Sequence, residues 1–204
     1  MRNVLTLEMP AESPFNMDLS SRVLFEQPAL TIRKASMLDI HPLLRLINGY
    51  AAKGIMLPRT EFEMSENIRD FMLAFEGDQL VGCGALHFYT PTSGEVRSLA
   101  VEPTAKSRGV GRAIVVALDK EARDCGLHTI FAFTYVPGFF GKLGFIEVER
   151  GELPLKAWKD CLRCPKFACC DEIAVVKYLV EQPSMDHQPV HLMPGLIHLP
   201  VLRG

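Results

Sequence analysis

The stretch that decides the fold is Glu95-Val-Arg-Ser-Leu-Ala-Val101-Glu-Pro-Thr-Ala-Lys106-Ser-Arg-Gly109-Val-Gly111-Arg112. Its first part carries apolar and β-branched residues typical of a strand, which Pro103 ends because proline has no N–H to donate. Apolar residues then recur at helical spacing up to Ala122. The glycine-bearing turn therefore lies at a helix N-terminus, which attracts anions. This predicts a site for a phosphate-bearing cofactor, and an ordinary strand–turn–helix connection is the alternative.

Composition narrows the class of protein. The chain has 204 residues, 48% of them hydrophobic and 23% charged, as expected for one globular domain with a core. A net charge of −2 provides no overall attraction to nucleic acid or to anionic membranes. No apolar run approaches the roughly 20 residues that span a bilayer. We therefore expect neither nucleic acid nor membrane as a partner.

The N-terminus lacks the basic-then-apolar order of a signal peptide. Six cysteines in such a chain favour thiols or a metal over disulfides. We therefore expect a cytoplasmic protein. Proline-rich ends without sustained periodicity predict a flexible leader over 1–28 and an irregular tail over 181–204, so the folded domain is expected at 29–180.

Hydrophobic periodicity predicts an α+β fold in three layers, with a central, mostly antiparallel sheet flanked by helices. Ser36 and Thr60 each begin a capping-box pattern, and Gly77-Asp78 is a hairpin signal. Gly82 and Gly84 inside a strand indicate a bulge or a close backbone approach. The predicted strands are 30–33, 71–75, 80–86, 95–101, 129–134, 144–148 and 171–179, and the predicted helices are 38–50, 60–68, 111–125, 137–143 and 153–159.

This order and two motifs resemble the GNAT acetyltransferase family. The run Lys106–Gly111 is similar to its acetyl-CoA signature Arg/Gln-x-x-Gly-x-Gly/Ala, with lysine in the first position. Phe139-Phe-Gly-Lys-Leu-Gly-Phe145 resembles its second signature, Phe-Tyr-x-Lys-Leu-Gly-Phe, with Phe140 in place of the tyrosine. The resemblance covers about 29–180 and implies splayed central strands that bind acetyl-CoA.

Further stretches resemble short-form N-acetylglutamate synthases: Gly54–Thr60, Glu66–Phe71, Val81–His87, Glu95–Val101 and Cys161–Phe167. That resemblance implies acetyl transfer from acetyl-CoA to the α-amino group of L-glutamate, the first step of arginine biosynthesis, and a homodimer at the level of the family. Two alternatives stay open. One is acetyl transfer to another small amino acid or amine, and the other is a non-catalytic acyl-CoA sensor.

The resemblance assigns the cofactor residues. The pyrophosphate is expected on backbone N–H groups of the turn, and the thioester oxygen on backbone N–H groups of the central strand. Phe140 and Lys142 of the second motif are also expected to bind the cofactor. Acetyl transfer from acetyl-CoA to an amine requires no metal. The expected cofactor-binding residues are Leu99, Ala100, Val101, Lys106, Arg108, Gly109, Val110, Gly111, Arg112, Phe140 and Lys142.

The acceptor amine needs a base, and the leaving thiolate needs an acid. Glu95 lies where the resembled enzymes place a candidate base, although a solvated strand-end charge is the alternative. Phe140 cannot donate a proton, so Tyr135 is the candidate acid, with a half-buried structural tyrosine as its alternative. Arg59 matches a substrate-engaging arginine of the resembled enzymes. Arg97 lies two residues after Glu95, so both side chains share one face of the sheet.

The cysteines form the second unusual pattern. Cys161-x2-Cys164 fits a zinc knuckle, but Cys169 and Cys170 are adjacent, so a thiol-rich structural lid is preferred over a metal site. Cys83 and Cys125 are predicted to be buried thiols. His87, at the end of a predicted strand, is interpreted as structural.

Overall fold

The computed structural model describes residues 29–153, Cys164, Lys166 and 169–180. The predicted leader and tail, and residues 154–159 of the last predicted helix, lie outside this range. The described elements are β1 (Leu30–Lys34), α1 (Ile40–Ala51), α2 (Glu61–Asn67), β2 (Phe71–Glu76), β3 (Gln79–Thr90), β4 (Ser93–Val101), α3 (Val110–Asp124), β5 (Thr129–Thr134), α4 (Pro137–Gly141), β6 (Ile146–Val148) and β7 (Ile173–Tyr178).

The strands form one seven-stranded sheet in the order β1-β2-β3-β4-β5-β7-β6. Every neighbouring pair is antiparallel except β4 and β5, which are parallel. Helix α3 makes the crossover that a parallel pair requires. This confirms the predicted mostly antiparallel sheet.

The two faces of the sheet pack against different helices. Along β2, Phe71 and Leu73 pack with α1 and α2, whereas Met72 and Ala74 pack with α3 and α4. The alternation follows from the two-residue period of a strand. The result is the predicted three-layer arrangement, with the sheet buried between helices.

The predicted local signals are present. Ser36 and Asp39 form a capping box, and so do Thr60 and Glu63. Strands β2 and β3 are joined by a two-residue hairpin, with Glu76 opposite Gln79. A second tight hairpin pairs Thr90 with Ser93, so β3 and β4 are both longer than predicted.

Both expectations for the glycines of β3 are confirmed. A Cβ on Gly82 would lie 2.9 Å from Ile114 Cδ1, and one on Gly84 would lie 2.8 Å from Ile114 Cγ2. The pairing of β3 and β4 also shifts between Cys83 and Ala85. The missing side chains therefore let α3 pack closely on the sheet beside a bulge.

Within the described ranges, none of the helices is long and apolar enough to cross a membrane.

Candidate active site

The two central strands separate in the middle of the sheet. Pairing of β4 with β5 ends at Glu95 opposite Phe131, although β4 continues to Val101 and β5 to Thr134. Beyond Glu95, the β5-facing edge of β4 therefore has no strand partner among the described residues. Backbone N–H and C=O groups along such an edge can pair with an extended ligand. The predicted splay is thus present.

A β-bulge lies on β4 where the strands separate. Cys83 pairs with Ala100 and Ala85 with Arg97, so two residues of β4 lie opposite the single residue Gly84. Ser98, in the bulge, has a φ of +52°, and its carbonyl accepts a hydrogen bond from the Cys83 thiol at 3.5 Å. A bulge re-aims the backbone beside a site. Leu99 and Val101 are half-buried and the Ala100 side chain is buried. The backbone, more than the side chains, is therefore available for contact with a cofactor along this stretch.

The turn before α3 has the backbone geometry that the predicted phosphate site requires. Gly109 is the N-cap, with a φ of +84° that favours glycine, and its carbonyl accepts the Ala113 N–H at 2.9 Å. The amides of Val110, Gly111 and Arg112 precede that bond and lie outside the helical ladder. Their unpaired N–H groups and the helix dipole provide a positive site for a phosphate.

The basic side chains around this turn are exposed, and two have partners. The Lys106 ammonium lies 5.2 Å from the Tyr50 ring centroid, and Arg108 Nη2 lies 2.7 Å from Glu76 Oε1. Arg112 at the start of α3 and Lys142 after α4 are exposed. The cofactor contacts of these four side chains stay predictions.

Arg59 and Arg97, the two predicted substrate-binding arginines, line one small cavity on the α1–α2 face, and their role in binding the acceptor stays a prediction. The cavity is lined by Arg59, Glu63, Met64, Asn67, Phe71 and Arg97. Arg97 Nη2 donates to Asn67 Oδ1 at 3.3 Å and lies 3.7 Å from Asp70 Oδ2. Two guanidinium groups in one cavity suit an anionic ligand.

Asn48 of α1 holds the backbone of Arg59 in place. Its Oδ1 accepts the Arg59 N–H and its Nδ2 donates to the Arg59 carbonyl, each at 2.9 Å. This pair of bonds fixes the loop that carries Arg59. Asn48 was not predicted, because a single asparagine within a helix carries no functional signal in the sequence.

Glu95 lies on the same face of β4 as Arg97. Its cross-strand partner is His87, and the partner of Arg97 is Ala85, two residues apart on β3. Glu95 is only 9% exposed, and its Oε2 accepts a hydrogen bond from the Tyr89 hydroxyl at 3.0 Å. The alternative interpretation, a solvated strand-end charge, is therefore excluded.

Tyr135 follows β5 and is 38% exposed. Its hydroxyl accepts a hydrogen bond from Lys166 Nζ at 3.2 Å. Partial burial raises the pKa of Tyr135, and the Lys166 bond opposes that effect without cancelling it. The phenol therefore carries its proton at neutral pH, and its role as the acid stays a prediction.

Phe140 lies in the core. It is 3% exposed and contacts Phe139 and Phe145 edge-on, with ring centroids 5.2 and 5.1 Å apart. Phe139, by contrast, lies close to the turn, since a Cβ on Gly111 would be 3.5 Å from its Cζ. The expectation that Phe140 itself contacts the cofactor is not supported by this packing and stays a prediction.

The predicted cysteine cluster is only partly described. Cys161 lies outside the described residues, and Cys164, Cys169 and Cys170 are free thiols. Among the residues that the structure describes, no group of three or more His, Cys, Asp or Glu side chains is close enough to hold a metal. Cys170 instead accepts a hydrogen bond from Arg150 Nη2 at 3.2 Å.

The two remaining cysteines differ. Cys83 is fully buried, and burial raises the pKa of its thiol to about 12. The prediction that Cys125 is buried is wrong: it lies exposed at the C-terminal end of α3, just past the buried Ala122.

The comparisons with known proteins agree with this geometry. The profile of the acetyltransferase (GNAT) family matches residues 40–145, which is more than half of the chain. The chain belongs to the GNAT acetyltransferase family. Two GNAT relatives are an uncharacterized N-acetyltransferase of Chlorobaculum tepidum and an amino-acid acetyltransferase of Mycobacterium tuberculosis. The Chlorobaculum tepidum protein is 40% identical, and the match covers 72% of this chain and 96% of that protein. The Mycobacterium tuberculosis protein is 36% identical, and the match covers 65% of this chain and 77% of that protein.

A solved structure has the same fold. The N-acetylglutamate synthase of Neisseria gonorrhoeae, complexed with coenzyme A and N-acetyl-glutamate, superposes with a TM-score of 0.68 and 27% identity. The match covers 75% of this chain and 36% of that protein. The present GNAT chain therefore corresponds to about a third of that structure.

Two further features of this GNAT site were not predicted. The Tyr50 hydroxyl donates to the Val101 carbonyl at 2.5 Å, which ties α1 to the end of β4. His87, interpreted as structural, bonds Asp70 through Nδ1 at 2.7 Å. Both pairs join distant parts of the chain, so no local spacing could have indicated them.

Proposed function

We propose that this GNAT acetyltransferase transfers the acetyl group of acetyl-CoA to the α-amino group of L-glutamate, giving N-acetylglutamate. The observation that carries the proposal is the placement of Arg59 and Arg97 in one cavity, on the sheet face that also carries Glu95. Glutamate has two carboxylates and one ammonium group. The site offers the guanidinium groups of Arg59 and Arg97 for the carboxylates, and the carboxylates of Glu63 in the cavity lining and Glu95 on the same sheet face for the ammonium.

The cofactor half of the proposal rests on two backbone features. The unpaired amides before Ala113 suit a pyrophosphate, and the open edge of β4 beyond Glu95 suits the extended pantetheine arm. The related N. gonorrhoeae structure is named as a complex with coenzyme A, which supports the same cofactor here. Acetyl-CoA is therefore the proposed co-substrate.

The proposal of glutamate as the acceptor rests on the positive charges of Arg59 and Arg97. An arginine binds a carboxylate through two parallel N–H bonds, which no neutral side chain reproduces. Asn48 holds the backbone of Arg59, and Asn67 accepts a hydrogen bond from the Arg97 guanidinium, so the Arg59 loop and the Arg97 side chain are positioned before the ligand binds. Preorganised groups lose less entropy on binding.

The chemistry then needs three actions from this chain. Glu95 accepts a proton from the acceptor ammonium, directly or through water. Backbone N–H groups of Leu99–Val101 stabilise the thioester oxygen as the free amine attacks. Tyr135 protonates the departing thiolate. No step requires a metal.

The wider context rests on the resemblance to short-form N-acetylglutamate synthases. That resemblance implies a reaction at the start of arginine biosynthesis and a homodimer, and the cytoplasmic location stays a prediction from the sequence. The domain boundaries at residues 28 and 181 stay predictions as well.

An assay of thiol release from acetyl-CoA against a panel of amino acids and small amines tests the proposal. The expected result is amine-dependent CoA release that is fastest with L-glutamate, with the acetylated product identified by mass. Preference for a neutral amino acid or another amine would replace glutamate as the acceptor. Coenzyme A binding without release in the presence of any amine would indicate a sensor and contradict the proposal.

A further inference from the structure

The reaction proposed above produces one net proton. The acceptor enters as an ammonium and leaves as an amide, losing two protons, while the leaving thiolate gains one. The balance is R-NH₃⁺ + acetyl-S-CoA → R-NH-acetyl + CoA-SH + H⁺. One proton must therefore reach solvent in every turnover.

Glu95 is poorly placed to release that proton by itself. It is 9% exposed, and the Tyr89 hydroxyl that bonds its carboxylate belongs to a residue that is also 9% exposed. A buried carboxylate that stays protonated cannot accept a proton from the next substrate. A second group that connects Glu95 to water would return the carboxylate to its basic form faster than Glu95 can by itself.

His87 is the candidate for this group. It lies directly opposite Glu95 across the β3–β4 ladder, a position in which Cβ atoms are about 4.5–5.5 Å apart. Its ring contacts the Tyr89 ring edge-on, with centroids 5.1 Å apart. Its side chain is 30% exposed, so water reaches it.

Asp70 orients this histidine. Its Oδ2 lies 2.7 Å from His87 Nδ1, a bond that assigns the Nδ1 proton to the neutral ring and makes Nε2 the basic nitrogen. The same oxygen lies 3.7 Å from Nη2 of Arg97, which lines the acceptor cavity. Among the described residues, Asp70 and Tyr89 contact the ring, Glu95 lies opposite His87 across the ladder, and Arg97 lies beside Asp70.

We propose that His87, oriented by Asp70, carries the proton from Glu95 to solvent after each acetyl transfer. The inference rests on the proposed function. In the step, the proton on Glu95 passes to His87 Nε2 directly or through water, which restores the carboxylate. The imidazolium, stabilised by Asp70, then releases that proton to bulk water. No electron moves and no co-reactant is needed.

The test uses the full-length protein in the thiol-release assay. His87→Gln is expected to lower kcat at least tenfold near neutral pH and to leave the acetyl-CoA KM unchanged. His87→Ala is expected to lose the same activity and to regain part of it when free imidazole is added, whereas His87→Gln, whose side chain fills the space, regains none. The matched control is His41→Gln, since His41 is exposed in the first turn of α1.

Asp70→Asn tests the orienting role, because an amide stabilises the imidazolium less than a carboxylate does. It is expected to lower kcat and to shift the acidic limb of the pH–rate profile.

Retention of wild-type kcat by His87→Gln from pH 6 to 9 would overturn the proposal. So would a loss in folded His87→Ala that imidazole does not restore, since that marks a purely structural histidine. Failure of the proposed function is distinguishable, because the wild-type protein would then release no thiol with glutamate.

Discussion

Glu95 shows how the fold defines the chemistry of a single residue. A glutamate near the start of a strand has no special property by sequence, but here it is buried and accepts a hydrogen bond from Tyr89. The sequence predicted that Glu95 shares a face with Arg97, because strand side chains alternate. It did not predict His87 as a neighbour, because the cross-strand pairing depends on the length of the β3–β4 hairpin.

Replacing Glu95 with glutamine tests its role as the base. We expect kcat/KM for the acceptor to fall by roughly 10²–10⁴ near neutral pH, which is typical of a lost general base. The loss should shrink as the pH rises, because solution then supplies the free amine. A pH–rate profile measures this, and a profile parallel to that of the wild type would remove Glu95 from the mechanism.

Elements in this protein are positioned by a few specific contacts. Tyr50 ties α1 to β4, Asn48 ties α1 to the Arg59 loop, and Arg33 of β1 binds Asp39 just before α1. The capping boxes at Ser36 and Thr60 were predictable because they are local motifs. The long-range hydrogen bonds could not be predicted, because each depends on which elements the folded sheet brings together.

The Arg33–Asp39 pair predicts a pH-dependent contribution to stability. Two N–H bonds of 2.8 Å from Arg33, with further bonds from Ser36, hold the pKa of Asp39 well below its ordinary 3.8. A carboxyl with a depressed pKa stabilises the fold fully above its ordinary pKa, and that stability is lost as the pH falls toward the folded-state value.

Asp39→Asn should therefore cost about 1–3 kcal/mol of unfolding free energy at pH 7. Denaturant unfolding at several pH values measures the difference between variant and wild type. The difference should diminish below pH 3.8. A difference that stays constant down to pH 2.5 would show that the charge of Asp39 is not its cause.

The close packing of α3 on β3 predicts a contrast between two glycines. A Cβ on Gly84 would lie 2.8 Å from the buried Ile114, whereas one on Gly49, within α1, meets nothing within 4 Å. Gly84→Ala should therefore destabilise the protein by about 1–3 kcal/mol. Gly49→Ala should be neutral or stabilise it by up to about 1 kcal/mol, because alanine favours a helix. Thermal unfolding of both variants measures this, and equal effects would contradict the packing.

At the scale of the whole molecule, the sheet brings the two proposed substrate sites together. The cofactor features lie along β4 and the turn before α3, and the acceptor cavity lies on the α1–α2 face. The order β2-β3-β4 could be predicted, since two tight hairpins join these strands. The position of β7 between β5 and β6 could not, because its pairing joins residues far apart in the chain.

The central claim is that the Arg59–Arg97 cavity binds the carboxylates of the acceptor, and Arg59→Ala tests it most directly. Loss of one charged hydrogen-bonding partner is worth about 1.5–3 kcal/mol, so the glutamate KM should rise about 10- to 100-fold. The acetyl-CoA KM should stay within twofold, and the control Arg69→Ala, which removes an exposed arginine, should change neither value. Equal rises in both KM values, or an unchanged glutamate KM, would contradict the account.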